Sequence, residues 1–224
     1  MKPIPKAVLS TAPAALAVDL TALKSFMRID GSGEDTLLTL LAKSATERIE
    51  EYIAQKLITQ TWNVFYDSFG YKPSDLWHDG VKEGIISDYS GGASNALDLP
   101  FGPLVSVTAF KTYADDDTAS TFDSANYVLD TKGPYGRVAL RMGAVWPTTV
   151  LRPVNGIELN GAVFGYGASY TSVPSAIQHA IMLTVSKMFE NRGDSASGEF
   201  FGVGGFTIPN TAQLLLSPYV RHRV

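Results

Sequence analysis

The strongest constraint in this sequence is a double change of hydrophobic period. Between residues 34 and 57, Leu38, Leu41, Ala45, Ile49, Tyr52 and Ile53 fall on one helical stripe. Lys43, Glu47, Glu50, Glu51 and Gln55 sit elsewhere on the wheel. From Thr59 the pattern changes to the alternation of strands, and near Pro174 it returns to helix. Helices that flank a strand-rich stretch in this way predict an α+β fold: a small helical bundle, made of the N-terminal helices and helix 174–192, with a β-rich insertion over 60–171.

Local signals sharpen the element boundaries. Asp19 is a good N-cap for a helix over 19–29 carrying Leu20, Leu23 and Met27, and Gly31 and Gly33 are expected to end it. Ser32 marks the entry to helix 34–57. In helix 174–192, Ile177, Ile181, Thr184, Val185 and Met188 form a stripe that Ala176, Ala180 and Leu183 widen, so this helix is expected to be largely buried. In the middle, Trp62, Val64 and Tyr66 share one strand face, as do Val105, Val107, Ala109 and Lys111. Further short strands are expected at 127–129, 137–140 and 157–164, with Asp115-Asp116-Asp117 as a hairpin turn and 70–96 as a long loop.

The ends read differently. Pro3, Pro5 and Pro13 break the apolar start, which favours an extended arm over 1–18 rather than a signal peptide. Residues 19–192 read as one domain, and 193–224 as a Gly/Phe-rich C-terminal arm with a short turn of helix at 211–216. Glycine-rich arms are usually polar. This one carries Phe200, Phe201 and Phe206, which points to a binding role, and it closes on a small basic end with Arg221 and Arg223.

Composition narrows the function classes. A net charge of −4 argues against a sequence-independent grip on nucleic acid, which needs clustered cations. The absence of cysteine excludes disulfides, thiolate metal sites and a cysteine nucleophile. No run of apolar residues is long enough for a transmembrane helix. His78, His179 and His222 lack partners at metal-ligand spacing; His179 reads as a structural histidine in a buried helix. The aspartate run lacks the spacing of a calcium loop, and Gly202-Val203-Gly204-Gly205 lacks that of a phosphate loop. There is no Gly-x-Ser-x-Gly nucleophile elbow, and Glu50-Glu51 reads as a solvated helix face. No catalytic, cofactor or metal site is expected, so the chain reads as a non-enzyme.

Several stretches taken in order resemble a known family. Leu23-Lys24-Ser25-Phe26-Met27-Arg28-Ile29-Asp30 precedes Glu34-Asp35 and the Leu-rich helix, which runs into Leu57-Ile58-Thr59-Gln60-Thr61-Trp62. Leu99-Pro100, Pro103-Leu104, Trp146-Pro147, Gly165-Tyr166-Gly167 and Val173-Pro174 follow, then Phe189-Glu190-Asn191-Arg192 and finally Leu216-Ser217-Pro218-Tyr219. This order is similar to that of the head–tail connector (adaptor) proteins of tailed bacteriophages, over about 17–192 with an echo at 214–223. The loop at 70–96 and the size of the segment at 194–210 depart from the pattern.

The resemblance implies a structural protein of the virion neck, assembled in the host cytoplasm. It implies a homo-oligomeric ring of twelve copies beneath the portal protein, which extends the DNA channel and docks a downstream connector or tail-completion protein. DNA would pass without sequence-specific binding, and no membrane is involved. On this reading Lys43, Glu47, Glu50 and Glu51 are candidate ring-wall residues. Phe200, Phe201, Phe206, Tyr219, Arg221 and Arg223 are candidate portal or partner contacts. A β-rich module binding carbohydrate or protein is the alternative, with Trp62, Trp77, Tyr89 and Trp146 as stacking surfaces.

Overall fold

A computed structural model describes residues 4–69, 77–78, 81–82, 96–191 and 208–220. Helices and sheets segregate into two compact units, where the sequence predicts one domain over 19–192 with an arm at each end. Pro13–Thr59 with Gly165–Val224 is helical, and Met1–Ala12 with Gln60–Phe164 is built of strands. The α+β class holds, and each unit has its own apolar core.

The helical unit contains α1 (Leu20–Met27), α2 (Asp35–Ile53), α3 (Ser175–Glu190) and α4 (Asn210–Leu216). Asp19 caps α1 as expected, its Oδ2 accepting the Ala22 N–H at 3.1 Å. The helix stops before the glycines, because Arg28 turns left-handed at φ 55° and the Ile29 N–H returns to the Lys24 carbonyl. An ion pair of 2.7 Å between Lys24 and Asp35 ties α1 to the start of α2. Leu38, Ala42, Ala45, Ile49 and Ile53 of α2 share a core with Leu23 of α1 and with Ile177, Ala180, Ile181 and Val185 of α3.

Two expectations about the helix faces are corrected. The stripe of α2 is centred on Ala42, with Leu41 half-buried against the core at its edge, and Tyr52 at its flank is 41% exposed. In α3 one side is buried, while His179 stands exposed, its ring edge-on to Phe26 with centroids 6.0 Å apart. At 3.6 residues per turn, His179 falls between the buried positions Ile177 and Ala180 in sequence but on the opposite side of the helix.

The C-terminal part of the chain is also reassigned. Ile208, Ala212 and Leu216 are buried in the same core, so residues 208–220 are part of the helical unit rather than of a free arm. The Gly/Phe-rich run therefore joins two packed helices, α3 and α4.

The strand unit holds β1 (Lys6–Thr11), β2 (Gln60–Tyr66), β3 (Trp77–His78), β4 (Val81–Lys82) and β5 (Ala96–Asp98). It continues with β6 (Leu104–Tyr113), β7 (Ala119–Thr121), β8 (Tyr127–Asp130), β9 (Arg137–Leu140) and β10 (Ile157–Phe164). An antiparallel five-stranded sheet runs β1-β2-β10-β6-β7, a second runs β5-β9-β8, and β3 pairs with β4. The predicted extended start thus contains an edge strand, in register Lys6 to Phe65 and Ala7 to Val64.

Trp62, Val64 and Tyr66 do share a face, and Val64 and Tyr66 join Leu97, Leu99, Val138, Ile157, Leu159 and Phe164 in the core. In β6 both faces contribute to the core: Leu104 and Phe110 are buried and Val107 is half-buried against them, whereas Val105, on the face singled out in the sequence, is exposed. Phe110 is the hub of a ring cluster, edge-on to Phe122 and Tyr127 at 5.4 and 5.5 Å. Gly161 marks a register shift in β10. It sits at φ 63°, where a Cβ would come within 2.5 Å of Thr108 Oγ1, and its N–H is taken by Asn63 Oδ1. The aspartate run forms the β6–β7 turn as expected, closed by Asp117 N–H to the Ala114 carbonyl and by Thr118 N–H to Asp116 Oδ1.

Candidate functional site

Three of the sequence segments that carry the family resemblance meet in the helical unit. After Ile53, Ala54 turns left-handed at φ 55° and ends α2 short of the predicted residue 57. The chain then runs extended through Leu57-Ile58-Thr59, alongside Gly165-Tyr166-Gly167. The Tyr166 N–H donates to the Leu57 carbonyl at 3.1 Å, and the Thr59 N–H donates to the Gly167 carbonyl at 2.9 Å. Ile58 and Gly167 form a parallel bridge. Gly165 is obligatory here: at φ 135°, a Cβ would lie 2.6 Å from the Thr59 nitrogen.

Polar side chains finish the junction. Glu50 accepts the Leu57 N–H at 2.8 Å and the Lys56 ammonium at 2.9 Å. Gln55, 1% exposed, accepts the Tyr166 hydroxyl on Oε1 and donates from Nε2 to the Tyr219 carbonyl at 2.8 Å. Leu57-Ile58-Thr59, Gly165-Tyr166-Gly167 and the terminal Ser217-Pro218-Tyr219 are thereby linked through residues 50, 55 and 56.

The sequence reading places Glu50 and Gln55 on the outer wheel, and this is corrected. Glu50 is 6% exposed because the break at Ala54 leaves the Leu57 N–H without a helical partner and the carboxylate supplies one. Gln55 lies beyond that break, so helical spacing does not apply to it. The one available signal is its position, with Lys56, immediately before the apolar Leu57-Ile58.

The other ring-wall candidates, Lys43, Glu47 and Glu51, are exposed on α2; Glu51 pairs with Arg48 at 3.0 Å. Tyr219 is half-buried against the helical core. Phe200, Phe201, Phe206, Arg221 and Arg223 lie outside the described residues, as do Tyr89 and most of the loop at 70–96.

In the strand unit, a separate polar clasp holds the loop before β10. Asp67 accepts from Lys6 at 3.0 Å and from the Asn155 N–H at 2.8 Å. Arg152 donates to the Asn155 carbonyl, pairs with Asp117 at 3.1 Å and lies 4.1 Å from the centre of the Tyr113 ring. The Tyr113 hydroxyl donates to Glu158, which also accepts from Asn160. The Asn155 N–H and then Lys6 hold the Asp67 carboxyl below its ordinary value, while the hydrogen bond to Glu158 pushes the Tyr113 phenol up.

Two of the tryptophans proposed as a sugar platform are engaged within the unit. Trp62 packs on Phe101 at 4.9 Å and donates to Gln60, and Trp146 stacks on Phe69 at 4.7 Å. Among the described residues no cluster of three or more histidines or carboxylates has a geometry that would hold a metal ion, and no helix is long and apolar enough to cross a membrane.

The family model for phage gp6-like head-tail connector proteins matches residues 17–102, so the resemblance read from the sequence holds over that stretch. No curated protein matches the chain. Among solved structures, the chain is similar to one in the neck of an empty gene transfer agent (GTA) particle computed with C6 symmetry. The TM-score is 0.71 at 20% identity, covering 98% of this chain and 97% of that one. It is also similar to a chain of the native GTA virion (TM-score 0.66, 19% identity, 97% and 96% covered). A third similar chain is in the neck of the native particle computed with C12 symmetry (0.61, 21%, 97% of both).

Proposed function

We propose that this chain is a structural head–tail connector in the neck of a phage-like particle. The observation that carries this reading is the pairing of the connector-family match over residues 17–102 with a fold similarity to GTA neck chains that spans 98% of the sequence. The chain acts as a non-enzymatic subunit of a homo-oligomeric ring of twelve copies, in keeping with a neck relative described with C12 symmetry. The ring sits under the portal, extends the DNA channel and docks the next connector or tail component. Its helices form the bundle, and the strand-rich stretch between α2 and α3 is an insertion into it. A net charge of −4 per subunit suits a channel that lets DNA slide rather than gripping it. The ring contact is heterologous, one flank of a subunit meeting the other flank of the next, with Lys43, Glu47 and Glu51 on the wall. Phe200, Phe201, Phe206, Tyr219, Arg221 and Arg223 face the portal or partner.

The test is capture of the chain on portal-bearing, DNA-filled capsids that lack tails, followed by electron microscopy. Ring density at the portal vertex is expected. Absence of binding by the folded full-length chain would overturn the connector reading. A version with residues 195–206 replaced by a Gly/Ser linker of equal length tests the phenylalanine contacts. A truncation at Arg192 would not serve, because it removes the core residues Ile208, Ala212 and Leu216.

A further inference from the structure

We propose that β1 is exchanged between neighbouring copies of this chain: residues 6–11 of one copy complete the sheet of the next by pairing with its β2. The docking surface is the β2 edge together with Asp67 and Asn155, and its occupant is the N-terminal strand of a second copy. The inference deepens the ring reading proposed above and rests on it.

The single chain shows what fits that edge. β1 lies antiparallel to β2, with Lys6 opposite Phe65, Ala7 opposite Val64 and Val8 opposite Asn63. Ala7 packs against the strand core, and the Lys6 ammonium donates to Asp67 at 3.0 Å and to Asn155 Oδ1 at 3.4 Å. In strand addition the main-chain bonds supply affinity and the side chains supply specificity. Here β2 offers the main chain, and Asp67 with Asn155 recognises the lysine that sets the register. A strand of identical sequence from another copy makes every one of these contacts.

Two features favour a neighbour as the donor. The first is that little side-chain burial ties β1 to its sheet. Five of its six residues are exposed, Val8 at 59% and Leu9 at 44% among them. Releasing such an edge costs far less than breaking a central strand. The second is that the chain changes units directly after β1. Met1–Ala12 belongs with the strands and Pro13 onward with the helices, where Ala17 and Val18 are buried in the helical core. The hinge between these anchored parts is short, and Ala12-Pro13-Ala14-Ala15 within it is exposed. Short hinges are where identical elements exchange between copies. Exchange replaces each bond with the same bond, so its balance is set by the hinge and by the high local concentration of neighbours in a ring. It is also heterologous. Each copy gives a strand on one side and receives one on the other, as ring closure requires.

The test uses the unaltered chain. Light and isotopically heavy chains are mixed, captured together on portal-bearing, tail-less capsids and treated with a water-soluble carbodiimide, which joins a contacting ammonium and carboxylate as an amide. Lys6–Asp67 links between a light and a heavy peptide are expected by mass spectrometry. The Lys24–Asp35 pair, 2.7 Å apart within the helical unit, is the internal reference and should link peptides of one isotope only. A ring visible by electron microscopy whose Lys6–Asp67 links are all of one isotope overturns the exchange and leaves the connector reading standing. Mixed links as frequent at Lys24–Asp35 as at Lys6–Asp67 would mark indiscriminate coupling and overturn it too. If no ring density forms, both readings fall.

A variant reads the register. The chain has no cysteine, so Val8→Cys with Asn63→Cys introduces one cross-strand pair within disulfide reach. Oxidised on the capsid, it should lose the single-chain band on a non-reducing gel and give a series of linked chains, whereas either substitution alone gives no more than a dimer. A single-chain band of undiminished intensity overturns the proposal.

Discussion

The Leu57 N–H donates to the Glu50 carboxylate at 2.8 Å, seven residues back and across the left-handed turn at Ala54. This bond explains why α2 stops at Ile53 although its apolar pattern continues. The side chain takes the place of the helical carbonyl, and Lys56 neutralises it at 2.9 Å. The buried pair therefore specifies where helix gives way to the extended run Leu57-Ile58-Thr59, a junction the propensities of these residues would not select.

Removing the carboxylate should be costly. Glu50→Ala takes an acceptor from both the Leu57 N–H and the Lys56 ammonium, and should destabilise the helical unit by about 1–3 kcal/mol. Glu50→Gln keeps an acceptor and should cost less. Urea unfolding, monitored by exchange in peptides of α2 and α3, measures both; a native midpoint for Glu50→Ala would discard this account of the junction.

Gly165→Ala should be destabilising although it adds only a methyl group. The residue sits at φ 135° and the new Cβ would meet the backbone of Ile58 and Thr59. Strain of this kind costs on the order of 1–3 kcal/mol, with the clash adding to it. Thermal unfolding of the variant checks the sign.

Stability should fall in acid. The carboxyls of Asp67, Asp116 and Asp130 are held below their ordinary value by the Asn155 N–H, the Thr118 N–H and the Arg137 side chain respectively. Groups lowered in the folded state contribute stability that is present above the unfolded value of about 4 and is lost as pH falls through the folded values. Asp67 and Asp116 are exposed and Asp130 is half-buried, so the effect is modest and salt-sensitive. The slope of stability between pH 4 and pH 2 should be shallower in Asp67→Asn; an identical slope would remove Asp67 from the account.

At the alkaline end the sign reverses. Burial raises the Tyr127 phenol and the bond to Glu158 raises that of Tyr113. Their contribution is complete below the ordinary tyrosine value of about 10 and disappears as pH climbs through the raised folded values. Ultraviolet titration should show late-ionising tyrosines, one of them lost in Tyr113→Phe and another in Tyr127→Phe.

Reversing charge on the outer face of α2 separates folding from assembly. Lys43→Glu with Glu47→Lys and Glu51→Lys should leave the subunit's melting temperature nearly unchanged, because exposed pairs contribute about 0–1 kcal/mol. Ring density on capsids should fall. Full assembly by the triple variant would move the ring wall to another face.

Periodicity alone determined most of the element list. α1, α2, α3 and α4, the strands at 60–66, 104–113, 127–130, 137–140 and 157–164, and the Asp115–Asp117 turn all follow from spacing, caps and turn residues, which are local properties of neighbouring side chains. Tertiary structure alone decided the division into two cores, the return of residues 208–220 to the helical core and the inward turn of Glu50 and Gln55. Each depends on groups far apart in the chain. Gln55 faces inward because the Tyr166 hydroxyl and the Tyr219 carbonyl are there to meet it, 111 and 164 residues away, and helical spacing carries no information across the turn at Ala54. His179 likewise reads as buried from the apolar residues around it, and only the packing of α3 leaves it exposed. A hydrophobic pattern specifies which stripe is apolar; what covers that stripe, and which polar groups fill the gaps at its ends, is settled when distant segments compete for the same surface.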